Sequence, residues 1–210
     1  MKPFSRTYTP IAALTTAFAT TVTSTGVALT LTANAPTDAL SHLITLTSGS
    51  SNDLSGLTFA LVGLDCNGNP QTETIAAGPN SSTVSGSKYF SRLTSVTPSA
   101  TMSAKVMSIG IGAVSLSPAI PIEWRSIVAA SISLAATGTI NVTVQDTVGD
   151  TYANYASVVP WSAISALTTK TSATDGTSRV GATAVQVVTN SVTNGATYTL
   201  WVSQPTQITG

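Results

Sequence analysis

The sequence has very little charge. Lys and Arg number eight and Asp and Glu eight, for a formal net charge of +0, and charged residues make up 8% of the 210 against roughly a quarter in an ordinary soluble protein. Without a basic excess the chain can neutralise few phosphates, which argues against nucleic-acid binding driven by counterion release and against polybasic docking on a membrane. One cysteine excludes an internal disulfide framework and Cys-rich zinc sites, and one histidine excludes His-pair metal motifs. No run of 18 apolar residues occurs, so no membrane-spanning helix is expected. Most hydrolytic and metal-dependent chemistry thereby loses its usual parts.

Ser and Thr fill the space left by charge, at 65 of the 210 residues. Thr and Val are stiff at χ1 and suit a pleated surface, whereas the strong helix formers Glu, Lys and Arg are scarce. Hydrophobic residues at 42% exceed what disorder tolerates, so the chain is expected to fold, and its length suits one large or two small domains.

Residues 1–35 imitate a secretory signal, with Lys2 and Arg6, an apolar run from Ile11 to Val22, and Ala33-Asn34-Ala35. Four threonines dilute the run and ten further residues separate it from the Ala-x-Ala, so no processing is expected. Residues 1–22, with Pro3 and Pro10 and with Phe4 and Tyr8 among polar neighbours, read instead as an extended arm. Gly26-Val-Ala-Leu-Thr-Leu-Thr32 alternates at period two and reads as the first strand. Further strands are expected at 43–47, 57–62, 71–75, 88–96 and 104–110, separated by turn residues. The Asn67-Gly68 pair marks a hairpin, with a type I′ turn expected because Asn and Gly tolerate positive φ. Pro118 and Pro121 place a boundary near 116, and a second set of strands follows at 126–134, 139–145, 184–188 and 197–203. The residues around Trp161 fit either a helical turn or a loop. The fold class is therefore all-β, with two consecutive antiparallel β-sandwich or barrel-like domains at 23–116 and 117–210 after the arm.

Each motif with chemical potential has a plainer alternative. Asp65-Cys66-Asn67-Gly68-Asn69 begins like a calcium loop but has Pro70 where Gly is needed and Ala76 where a Glu should close the site, so a hairpin turn is favoured. Asp53, Asp65, Asp146 and Asp150 sit at turns, where Asp usually bonds its own backbone. Ser85-Gly-Ser-Lys88 has the spacing of a Ser nucleophile and a Lys base but lacks the companion motifs. His42 has no nucleophile elbow to serve, and Cys66 has no basic neighbour to stabilise a thiolate. Asn80-Ser81-Ser82 and Asn141-Val142-Thr143 are glycosylation sequons, which matter only in a secreted chain. No catalytic, cofactor-binding or metal-ligating residue is assigned, and the chain is not expected to be an enzyme. Aromatics gather in the second half, at Trp124, Tyr152, Tyr155, Trp161 and Trp201, where packing competes with contact to sugars or proteins. Tyr152 and Tyr155 are the candidates for a projecting loop, and Phe4, Arg6 and Tyr8 for contact through the arm.

Several of these stretches are familiar as a set. The run Gly56-Leu-Thr-Phe-Ala-Leu-Val-Gly-Leu-Asp-Cys-Asn-Gly-Asn-Pro-Gln-Thr-Glu73, with His42-Leu-Ile-Thr-Leu-Thr47, Gly78-Pro79 and Lys88-Tyr-Phe90, resembles a β-sandwich domain of small virion structural proteins of tailed bacteriophages. The second half is similar to another such module through Val142-Thr-Val-Gln-Asp-Thr147, Trp161 and Thr199-Leu-Trp-Val-Ser-Gln204. The resemblance covers residues 25–205 and implies a multi-copy or homo-oligomeric particle component without cofactor. It favours a capsid decoration (cement) protein on the virion exterior, bound to the major capsid protein, with a neck or tail component as the alternative. The arm is then expected to lie on a neighbouring subunit as an added strand, anchored by Phe4 and Tyr8. A secreted adhesin or sugar-binding module is the rival from a different class.

Overall fold

The computed structural model describes residues 3–122, 129–149 and 160–203. The chain is all-β, and one 3-10 turn at Ser165–Leu167 is the single helical element among the described residues. Its strands are β1 (Phe4–Tyr8), β2 (Leu14–Val22), β3 (Ser41–Thr47), β4 (Phe59–Leu64), β5 (Pro70–Ile75), β6 (Thr83–Phe90), β7 (Arg92–Pro98) and β8 (Met107–Leu116). The remainder are β9 (Ile120–Pro121), β10 (Ser131–Thr137), β11 (Ile140–Thr147), β12 (Ser162–Ala163), β13 (Thr174–Thr177), β14 (Ala184–Val192) and β15 (Thr197–Ser203). Two compact units result, one of Ala12–Ser115 and one of Met1–Ile11 with Leu116–Gly210.

In the unit of Ala12–Ser115, β2 and β3 neighbour β8 and β6 lies beyond β3, while β5, β4 and β7 form a second, three-stranded sheet. Alternation along the strands turns Ile44, Leu46, Phe59, Leu61, Leu93, Ile109 and Ile111 inward, all at most 1% exposed. Each such side chain contributes about 1.5 to 3 kcal/mol by leaving water. The other unit has the sheet β1-β15-β10-β13 and, separately, β11 flanked by β12 and β14, with β9 also on β14. Tyr198, Leu200 and Val202 share the inner face of β15, as their alternation requires, and are fully buried.

Several expectations are corrected. The stretch read as an extended arm holds, among its described residues, β1 and β2, which pair with β15 and β8 of the same chain, and β2 buries Phe18 and Ala19 completely. The alternation at 26–32 is not a strand. Ser24 Oγ accepts from the amides of Gly26 and Val27 and donates to the Val27 carbonyl, and Gly26 takes φ +98°, so a side-chain turn competes with the ladder. Only Leu29 plugs inward, its amide bonded to the Val96 carbonyl. Residues 88–96 form not one strand but the end of β6 and the start of β7, which pair with β3 and β4 in different sheets. Ser91 makes that corner, its hydroxyl donating to the carbonyls of Leu64 and Asp65. The β4–β5 hairpin is present, but Gly68 alone has positive φ at its tip. Gly68 N bonds the Asp65 carbonyl and Asp65 N bonds the Asn69 carbonyl, giving a three-residue loop that ends in a left-handed Gly in place of the type I′ turn.

β6 carries two extra residues opposite β3, between the pairs Leu43↔Tyr89 and Thr45↔Ser85. The Glu73 carboxylate from β5 fills the resulting bulge, accepting from the Ser87 amide and hydroxyl and, at 3.2 Å, from the Lys88 amide. A Cβ on Gly86 would lie 2.6 Å from Glu73 Oε2. Gly86→Ala therefore pushes the carboxylate off these donors and should lower stability by about 1 to 2 kcal/mol, read as a shift in the denaturation midpoint; an unchanged midpoint would mean the bulge holds without Glu73.

Candidate partner-binding surface

The alternation of β1 sorts its residues. Phe4, Arg6 and Tyr8 pair with Val202, Leu200 and Tyr198 on the inner side, while Ser5 and Thr7 pair with Trp201 and Thr199 on the outer side. Tyr8 is 3% exposed and its ring stacks on Tyr198, centroids 5.0 Å apart and planes 28° from parallel. The Arg6 guanidinium carbon sits 4.9 Å from the Tyr8 ring centroid, a cation over the negative face of an aromatic. Burial pushes the Tyr8 phenol up from its ordinary value, with the Arg6 charge and hydrogen bond opposing it. Phe4 is half-buried and Arg6 exposed.

The three side chains meet a wall that sequence reading treated only as a boundary. A groove of about 410 Å³ runs between Pro3, Phe4, Arg6 and Tyr8 and the segment Pro118, Ala119, Ile120 and Pro121. That segment is fixed by hydrogen bonds: Ser117 N to the Val187 carbonyl, Val187 N to the Ser117 hydroxyl at 2.9 Å, and Ile122 N to the Thr183 carbonyl. Prolines here leave no N–H to satisfy at a sheet margin. The signal for this wall was the spacing of two prolines around apolar residues. An apolar groove with one cation beside it suits an extended, apolar segment that carries a carboxylate.

The structure brings Phe4, Arg6 and Tyr8 to this one groove, with Tyr8 also committed to the interior. Tyr152 and Tyr155 lie outside the described residues, as do Trp124 and Asp150. Most of the polar and ionisable candidates are held in structural roles. The amides of Ser87 and Lys88 are taken by Glu73, and Lys88 Nζ donates to the Thr72 carbonyl at 2.7 Å. His42, fully buried, bridges Asp38 and the Gly112 carbonyl. Asp65 accepts from Asn67 N and Asn69 N, both at 2.8 Å, within its own turn. Asp146, 1% exposed, binds the Arg179 amide and guanidinium at 2.6 and 2.7 Å. Asp53 is held below the usual carboxylate range by the hydroxyl and amide of Ser55. Among the described residues no group of three or more His, Cys, Asp or Glu is placed to hold a metal ion, and no helix is long and apolar enough to cross a membrane.

Burial, reinforced by the neighbouring Asp65 charge, pushes the Cys66 thiol up to about 12 from 9.0. The neutral thiol is thus favoured by the fold. Its stabilising contribution is complete below pH 9 and is lost as pH rises from 9 towards 12. Alkylation of the native protein at pH 8 should be at least about ten-fold slower than that of the denatured chain; equal rates would show that the thiol is not desolvated.

Comparison with known proteins finds no matching family model, no matching curated protein and no matching solved structure.

Proposed function

We propose that the chain is a non-enzymatic structural protein of a bacteriophage virion, of the capsid decoration type, which binds the assembled shell and stabilises it. The observation that supports this most directly is the groove at Phe4 and Arg6, built on a sheet margin of a nearly uncharged chain. A particle component needs contact surface in place of an active site, and many copies let weak contacts add as avidity. The resemblance of residues 25–205 to virion sandwich modules supplies the class of partner, the major capsid protein. Selective binding to the assembled lattice stabilises it by about RT ln(1 + [L]/Kd) per site, which reaches about 2.7 kcal/mol when the free protein is at 100 times Kd.

Co-sedimentation of the purified protein with mature shells lacking it tests this reading. The protein should pellet with shells and stay in solution with dissociated capsid subunits. Arg6→Glu, which reverses the only charge among the described residues that line the groove, should weaken shell binding about ten-fold. Failure to pellet with shells would sink the decoration role, and unchanged binding of Arg6→Glu would move the contact to another surface.

A further inference from the structure

The outer face of the sheet β1-β15-β10-β13, opposite the groove side of β1, has an unusual make-up. Register and alternation bring twelve residues onto it, of which nine are Ser or Thr and the others are Ala135, Trp201 and Asp175. Trp201 is 42% exposed, whereas Tyr198, Leu200 and Val202 of the same strand are fully buried. One row crosses all four strands as Ser5↔Trp201↔Ser133↔Asp175. With strands about 4.8 Å apart the row spans about 14 Å. In the next row Thr7 and Thr199 are joined hydroxyl to hydroxyl at 2.7 Å, which orients both oxygens.

From this face we infer a second binding activity: it holds a neutral oligosaccharide laid across the strands, with Trp201 stacked on a pyranose ring. A pyranose has an apolar C–H face and a rim of hydroxyls. The indole offers a broad, rigid apolar surface with little conformational entropy to lose, and the flanking Ser5 and Ser133 offer both donors and acceptors at ring-edge distance. Asp175, the only charge among these twelve residues, accepts charge-assisted hydrogen bonds from sugar hydroxyls. That charge pattern selects the ligand: a lone carboxylate among hydroxyls complements an uncharged polyol and repels an anionic polymer. The platform is preorganised, since its four strands are already paired along their lengths. This activity does not depend on the particle role, because the groove and the Trp201 face lie on opposite sides of β1.

Affinity electrophoresis of the full chain through gels containing dextran, mannan or soluble chito-oligosaccharide, with polygalacturonate as the anionic comparison, tests it. At least one neutral glycan should retard the wild type, and Trp201→Ala should weaken that retardation about ten-fold. Trp201→Phe, which keeps a ring, should retain most of it, and Asp175→Asn should weaken it several-fold without touching the core. No retardation by any neutral glycan, binding by Trp201→Ala or Asp175→Asn equal to wild type, or equal binding to polygalacturonate would each overturn the inference. Shell co-sedimentation of Trp201→Ala should match wild type, so failure of saccharide binding and failure of the decoration role are separately visible.

Discussion

Replacing Asp38 by alanine should cost about 1 to 3 kcal/mol of stability, the scale for leaving a buried hydrogen-bonding group without its partner. The side chains of His42 and Asp38 are 0% and 1% exposed, and Nε2 lies 2.9 Å from Oδ2. His42 Nδ1 lies 3.0 Å from the Gly112 carbonyl, which only accepts, so Nδ1 carries hydrogen. Asp38 Oδ1 also accepts from the Leu40 amide at 3.1 Å, across Ala39 at φ +58°. Truncation thus strands an imidazole nitrogen without water and loosens a strained turn at the entry to β3. Asp38→Asn keeps an oxygen for Leu40 N and should lose less. Denaturant midpoints measure both, and a loss below about 1 kcal/mol for Asp38→Ala would show that water reaches the pair.

Tyr8→Ala should cost about 3 to 5 kcal/mol, as large aromatic truncations in cores do, and its effect should be local. Tyr8 closes the inner face at the end of β1 and stacks on Tyr198. Losing it weakens the five pairs between β1 and β15, so amide exchange protection should fall in β15, while β3, β4 and β7 of the other unit keep theirs. Tyr8→Phe retains the stack and should cost much less. Unchanged protection in β15 would mean that β1 is not needed to hold that sheet. The same prediction bears on function: a deletion of residues 2–9 that abolishes shell binding could act through a damaged sheet, which is why the exposed Arg6 is the better probe of the groove.

Strands whose alternation faces a single core were legible from the sequence, as in β3, β5, β11 and β15. Period two at 26–32 misled because Ser24 and Gly26 form a side-chain turn that no alternation reveals. The break at Ser91 was invisible because its neighbours on both sides favour strands; only the sheet change exposes it. β13 escaped notice because Asp175 and Gly176 read as breakers, yet Gly176 is required where a Cβ would come within 2.8 Å of Leu167 Cγ. Of the groove, Phe4, Arg6 and Tyr8 were legible as an exposed-looking aromatic and basic cluster. Their wall at 118–121 was legible only as a break at two prolines, since its anchorage to β14 and its place across the groove from Phe4 and Arg6 depend on residues distant in sequence. The Trp201 face was legible only in part: alternation put Trp201 opposite Leu200, but the row of Ser5, Ser133 and Asp175 needs the register of four strands.

The measurement that bears most directly on the proposed function is the copy number of the chain in purified particles, by quantitative mass spectrometry against the major capsid protein. Shell decoration requires hundreds of copies, in fixed proportion to the capsid lattice. A dozen or fewer would contradict decoration and move the protein to a neck or tail ring, and absence from particles would contradict a virion role altogether.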